Sequence, residues 1–162
     1  MLEVRLRPDG SVAAVTSIPA GEDRTVLPLD GLPLGLGGEL DRGSPSRSAA
    51  EAWRGGFSFA CWDRERETLH AYRDHYGARP LYYHAASGRL LLACEIPEIV
   101  RRLGSAPPLE ETSVMEYLAA GTMSDDRTFH HGIKRVPAAS TLSAGPGGMT
   151  VERKSSPLPV WL

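Results

Sequence analysis

The sequence predicts an α+β domain of mainly antiparallel sheet with a few short helices. Alternating apolar runs come in pairs joined by turn sequences, which is how hairpins read. Helical spacing is confined to short stretches that lie between the hairpins. Seventeen glycines and 13 prolines in 162 residues interrupt the chain too often for long elements. Hairpins with helices between them place a chain in this class.

Taken in order, Leu2–Arg7 and Val12–Ser17 flank a Pro-Asp-Gly-Ser turn and make the first hairpin. Residues 18 to 48 carry so many breakers that only short strands near Thr25–Leu27 and Leu34–Leu36 are expected there. Ser46–Trp53 reads as a short helix capped by Ser46 or Ser48. Phe57–Trp62 is an apolar strand whose antiparallel partner, Thr68–Arg73, follows a charged, solvated turn. Leu81–His84 and Leu90–Ala93 form the next hairpin. Ile96–Leu103 and Ser113–Ala120 are helices stopped by Gly104 and Gly121. Ser140–Ser143 and Met149–Arg153 close the chain as a last hairpin around Ala-Gly-Pro-Gly-Gly.

The bulk properties exclude several classes of function. The length fits one domain over residues 1–162. A net charge of −2 with scattered arginines gives no footprint for nucleic acid or an anionic membrane. No apolar run reaches the roughly 20 residues a membrane helix needs. Glu3, Arg5, Arg7 and Asp9 interrupt any signal-peptide pattern, so a cytoplasmic protein is expected. In that compartment Cys61 and Cys94, both read as strand residues, are expected to be thiols.

Four segments then carry a resemblance. "GGFSFACWDRERETLHAYRDHYGARPLYY" begins at Gly55, "GRLLLACEIPEIV" at Gly88, and "VMEYLAAGTMSDDRTFHHGIKRVPAAS" at Val114, running on to a last strand and Trp161. In order and at natural spacing, these resemble the glutaminase domain at the front of asparagine synthetases and related amide ligases. That is a class II glutamine amidotransferase of the N-terminal-nucleophile type. The resemblance implies an N-terminal-nucleophile-hydrolase-like sandwich of mainly antiparallel sheets with flanking helices. Residues 55–162 are family-like and 1–54 divergent, so the fold is expected to be reduced in its first third.

The chemistry implied by the resemblance is absent from that first third. The family opens on a cysteine, exposed by loss of the initiator methionine, whose own amine serves as base. Leu2 stands there and offers no nucleophile. The family's early arginine motif and its Ser-Asp-x-Glu segment have no match; "SPSRSAAEA" occupies the latter's place without an aspartate. Two readings of "LGLGGELDR" stay open. It is either a plain turn or a remnant of the loop that holds glutamine, with Gly38 and Glu39 on the family's Gly-Glu. In the second case Gly37 replaces the asparagine of the oxyanion hole, whose donor is worth about 2.7–4 kcal/mol in the transition state.

What survives is "RDHYGARPLYYH". In the family this segment supports the fold rather than the chemistry, so Arg73, Asp74, Gly77 and Pro80 are expected to shape a loop. Arg73 and Asp74 would tie it by hydrogen bonds, and Tyr82 and Tyr83 would put one ring on each face of a sheet. His130-His131 lacks metal-ligand company, "SDD" at 124–126 reads as a turn or cap, and His70 and His84 as satisfied strand residues. No metal is expected.

The expectation is therefore a non-catalytic glutaminase-like domain, a scaffold or subunit for an ATP-dependent, AMP-forming synthetase. Cyclases of β-lactam and lasso-peptide pathways resemble it in having degenerate glutaminase halves. No cofactor is expected on this chain; ATP and Mg²⁺ would belong to an asparagine synthetase-like ATP pyrophosphatase domain or subunit as partner. The chain ends near the family's handover to the synthetase, so it is expected either to be cut from a longer polypeptide or to act in trans. A homodimer, an active amidotransferase with a misassigned start, and a ligand-binding regulatory domain around Glu39 are the alternatives.

Overall fold

The structure, a computed structural model, describes residues 2–6, 12–16, 24–30, 55–63, 65–124 and 126–153. Among these the chain forms strands β1 (Leu2–Leu6), β2 (Val12–Thr16), β3 (Arg24–Asp30), β4 (Ser58–Asp63), β5 (Thr68–Arg73), β6 (Tyr82–Ala86) and β7 (Arg89–Ala93). Helices α1 (Ile96–Leu103) and α2 (Glu111–Ala120) follow, then strands β8 (Ile133–Arg135), β9 (Ser140–Gly145) and β10 (Gly148–Arg153). The strands make two sheets, ordered β2-β1-β7-β6-β8 and β10-β9-β5-β4-β3, in which the described pairings are all antiparallel. The chain is thus α+β with mainly antiparallel sheet. The expected strand Leu34–Leu36 and helix Ser46–Trp53 lie outside the described residues.

Side-chain alternation brings the two sheets face to face. Leu2 and Val4 of β1, Leu90 and Leu92 of β7 and Tyr83 of β6 point to the same interior as Ala60, Leu69, Ala71, Leu142 and Ala144 of the other sheet. These residues are fully or almost fully buried, which is where the fold gains most of its apolar stabilisation. The reverse faces are also apolar. On one, Phe57, Phe59, Cys61 and Tyr72 cluster, with the Phe59 and Tyr72 rings stacked across the β4–β5 pair at 4.6 Å. On the other, α1 lays Ile96, Ile99, Val100 and Leu103 against Leu91, Ala93, Ile133 and Tyr82. Tyr82 and Tyr83 accordingly serve opposite faces of one sheet.

The helix stops follow the sequence. Gly104 and Gly121 both take left-handed backbone, and their N–H groups donate to Val100 and Tyr117 carbonyls at 3.1 and 2.8 Å. Helix α2 starts at Glu111 rather than Ser113. Three strand details also differ from expectation. β3 runs past Pro28 to Asp30, because it is an edge strand and shifts register between those residues, a place where a missing N–H is tolerated. Cys94 sits just beyond β7 and is only half-buried, while Cys61 is buried within β4; the two are thiols. Asp63, expected in a solvated turn, is buried at the end of β4, where its Oδ1 accepts the Arg66 N–H at 3.1 Å.

β1 is tied to its surroundings by charge as well as by packing. The Glu3 carboxylate, on the α1 side of its sheet, is buried yet receives the guanidinium groups of Arg89 from β7 and Arg102 from α1. Burial pushes its pKa up. The hydrogen bonds and charge of Arg102 and Arg89 outweigh that and hold it below the ordinary value of 4.5.

Candidate functional site

Residues 74–81 form the passage by which the chain leaves the β5 sheet and enters the β6 sheet. Residues 136–139 make the return passage, from β8 to β9. The two passages run side by side at a corner of the sandwich, and Arg73 and Asp74 join them.

Asp74 is the centre of this corner. Its side chain is buried, and its carboxylate accepts three backbone N–H groups. Oδ1 takes those of Tyr76 and Ala78, both at 3.0 Å, and Oδ2 takes that of Arg79 at 2.9 Å. Its backbone carbonyl accepts the N–H groups of Gly77 at 3.1 Å and Ala139 at 2.9 Å. The Ala139 bond is one that joins the two passages. An aspartate followed by a turn can fold the chain around its own carboxylate in this way.

Arg73, at the end of β5, faces carbonyls. Nε donates to Arg79 O at 2.9 Å, Nη1 to Val136 O at 2.7 Å and Nη2 to Gly77 O at 2.7 Å. At least three of its five N–H donors are therefore committed to main chain. Gly77 makes this approach possible. Its φ is +66°, and a Cβ there would lie 2.9 Å from Arg73 Nη2 and 3.1 Å from the Ala138 Cβ. Pro80 completes the corner: its carbonyl accepts the Ser58 hydroxyl at 3.0 Å, linking the loop to the start of β4. The next residue, Leu81, is fully buried, and its carbonyl accepts the Val136 N–H at 2.8 Å.

Leu2 lies at the same end of the sandwich. It pairs with Leu92, which in turn pairs with Tyr83, two residues beyond Leu81. With neighbouring strands about 4.8 Å apart, the start of β1 sits roughly 10 Å across the sheet from the start of β6. The Leu2 side chain has no exposure and points between the sheets. Leu2 and the loop of Arg73, Asp74, Gly77 and Pro80 are thus brought to one end, while Gly38 and Glu39 lie outside the described residues.

The other polar candidates are engaged elsewhere. His70 Nδ1 lies 2.9 Å from Ser143 Oγ across the β5–β9 pair, and His84 Nδ1 donates to the Gly132 carbonyl at 2.9 Å. His130 forms an isolated bridge with Leu109 rather than part of a longer strand. Asp126 pairs with Lys134 at 3.2 Å. Among the described residues, no group of three or more His, Cys, Asp or Glu side chains is placed to hold a metal ion. No helix among them is long and apolar enough to cross a membrane. The partners Ser58, Val136 and Ala139 are not legible in the sequence, because the Ser58 hydroxyl and the main chain of Val136 and Ala139 meet the loop only through long-range contacts, which leave no motif.

Comparison with known proteins bears on the same segments. The profile of the family described as "Glutamine amidotransferase domain" matches residues 45–154. The chain is similar to the amidase chyE of Penicillium rubens, 39% identical over 83 residues that make up 51% of this chain and 12% of that protein. It is similar to the glutamine-hydrolysing asparagine synthetase 3 of Bacillus subtilis, 29% identical over 98 residues, 60% of this chain and 16% of that protein. Asparagine synthetase 1 of the same organism is 24% identical over 100 residues, 62% of this chain and 16% of its own length. The chain therefore spans 12% to 16% of the length of these curated relatives.

Proposed function

The chain belongs to the glutamine amidotransferase domain family, in its asparagine synthetase-like class II form, and from that premise we propose that it is a non-catalytic member. It serves as scaffold or subunit for an ATP-dependent, AMP-forming synthetase of the asparagine synthetase type. ATP and Mg²⁺ act on that partner, and this chain contributes no cofactor. The fold is assigned as an N-terminal-nucleophile-like sandwich, a single domain over residues 1–162, working in the cytoplasm.

The observation that carries this reading is the state of position 2. The start of β1 is read as the family's nucleophile position, and the residue there is Leu2, buried without exposure among the side chains that join the sheets. A hydrocarbon can neither ionise nor attack a carboxamide. Neither thiol is an evident substitute: Cys61 is buried mid-strand in β4, and Cys94 follows the last residue of β7. Meanwhile the corner built on Asp74 is kept, its carboxylate accepting three main-chain N–H groups. Chemistry has gone from one end of β1 while the frame that would hold it is kept.

Family membership itself favours one competing reading, an active amidotransferase that hydrolyses glutamine, as the names of the two Bacillus subtilis relatives state for them. The native mass of the untagged protein, purified from its source cells, tests the partner half of the proposal. A complex containing a synthetase-type ATP pyrophosphatase is expected. A bare monomer or a homodimer would overturn it.

A further inference from the structure

Helix α2 is built for burial on two sides, and among the described residues it is covered mainly on one. Its sequence, ETSVMEYLAA, turns apolar side chains in nearly every direction, and a helix of that kind normally lies inside a protein. Successive residues are rotated by roughly 100°, which sorts them into two sides. The packed side centres on Ser113, which is fully buried, and borders on Tyr117, itself 46% exposed, whose ring meets Phe129 edge-on at 5.3 Å. The opposite side presents Met115, Leu118 and Ala119 at i, i+3, i+4 spacing, with Met115 66% and Leu118 74% exposed. Helix α1 shows the ordinary solution. Its apolar stripe lies on the sheet, Arg101 is exposed and Glu98 partly so, and Arg102 reaches back to the Glu3 carboxylate.

Charge decides what can cover the α2 stripe. Glu110 and Glu111 stand at its N-terminal end, and no basic residue occupies the last turn, where the helix carries its partial negative charge. A second copy laid parallel would set Glu111 against Glu111. Laid antiparallel, it would set Glu111 against the uncompensated C-terminus of the other helix. Both arrangements repel, so the stripe does not suit self-association. It suits an apolar face bordered by arginine or lysine.

We propose that the Met115–Leu118–Ala119 face of α2 is the surface on which the synthetase partner docks, the partner meeting it with apolar side chains flanked by basic ones. This rests on the scaffold reading above and gives it a place on the molecule. The relatives are consistent with such a neighbour, since more than four-fifths of each lies outside the region shared with this chain.

The test is site-directed photocrosslinking in the source cells, with p-benzoylphenylalanine placed at Leu118 and, as a control, at Arg66 in the exposed β4–β5 turn. Crosslinks from 118 but not from 66 to a synthetase-type protein are expected. With the purified complex, the pair Met115→Ala and Leu118→Ala, and separately Glu111→Arg, should each weaken association about tenfold or more without lowering the melting temperature. If the complex forms while 118 fails to crosslink and the variants associate like the wild type, the docking face is wrong and the scaffold reading survives. If no complex exists, the scaffold reading fails and the docking face with it. A crosslink from 118 to a second copy of this chain would overturn the assigned occupant.

Discussion

Replacing Asp74 asks how much of the fold depends on one carboxylate. Asp74→Ala removes an acceptor of three backbone N–H groups, those of Tyr76, Ala78 and Arg79, from a side chain that is 1% exposed. A hydrogen bond to a charged group contributes about 1.5–3 kcal/mol net, so three give about 4.5 kcal/mol at the lower figure. Tyr76, Ala78 and Arg79 are exposed residues, and water can reach part of the vacated corner. The expected loss is then about 3 kcal/mol. Asp74→Asn should cost less, about 1.5–2 kcal/mol. Its carbonyl can still serve Tyr76 and Ala78, but its amide then points a donor at the Arg79 N–H. Urea unfolding measures both, and the order Ala worse than Asn should hold with the slope against denaturant unchanged. For a domain of ordinary stability, about 5–15 kcal/mol, the alanine variant remains folded but visibly weakened. A loss near zero for Asp74→Ala would refute the reasoning. The corner would then be held by other contacts, and the aspartate would be available for another task.

Three further outcomes follow from the same geometry. Gly77→Ala should destabilise by about 3 kcal/mol, because alanine is strained at φ +66° and its Cβ displaces the Arg73 guanidinium from its carbonyls; thermal unfolding reads this. Leu2→Ala should cost about 3 kcal/mol in urea, the usual loss at a fully buried leucine, and a cost near zero would show that position 2 is not core. Because the Glu3 pKa is depressed in the folded state, its contribution to stability is present above the ordinary value of 4.5 and is lost as pH falls through the folded value. Arg102→Ala should raise that folded pKa, so that acid unfolding begins at higher pH than in the wild type.

The sequence was most legible where structure is local. Turn residues placed the β6–β7 and β9–β10 hairpins, and Gly104 and Gly121 marked both helix ends to the residue. Sheet order was not legible, because β1 lying beside β7 and β5 beside β9 depends on contacts between segments far apart in the chain. β8, three residues long, is too short to show a period. Glu3 illustrates a further limit. As one letter in an alternating run it reads as a surface charge, and only the fold brings Arg89 and Arg102 onto it. Of the candidate site, Arg73, Asp74, Gly77 and Pro80 could be singled out through the resemblance of their segment to the family's. Their partners across the corner, Ser58, Val136 and Ala139, could not.

The most direct test of the central claim is glutamine hydrolysis by the natural protein, purified with whatever accompanies it, followed as glutamate released. The account predicts no release above that of a heat-denatured control, with the partner present or absent. Turnover that persists when Cys61 and Cys94 are both replaced by serine would locate a nucleophile elsewhere in the natural chain or its partner. Turnover that this replacement abolishes would show that one of these two thiols does the work. Turnover traced to this chain by either route would contradict the reading of it as a non-catalytic domain.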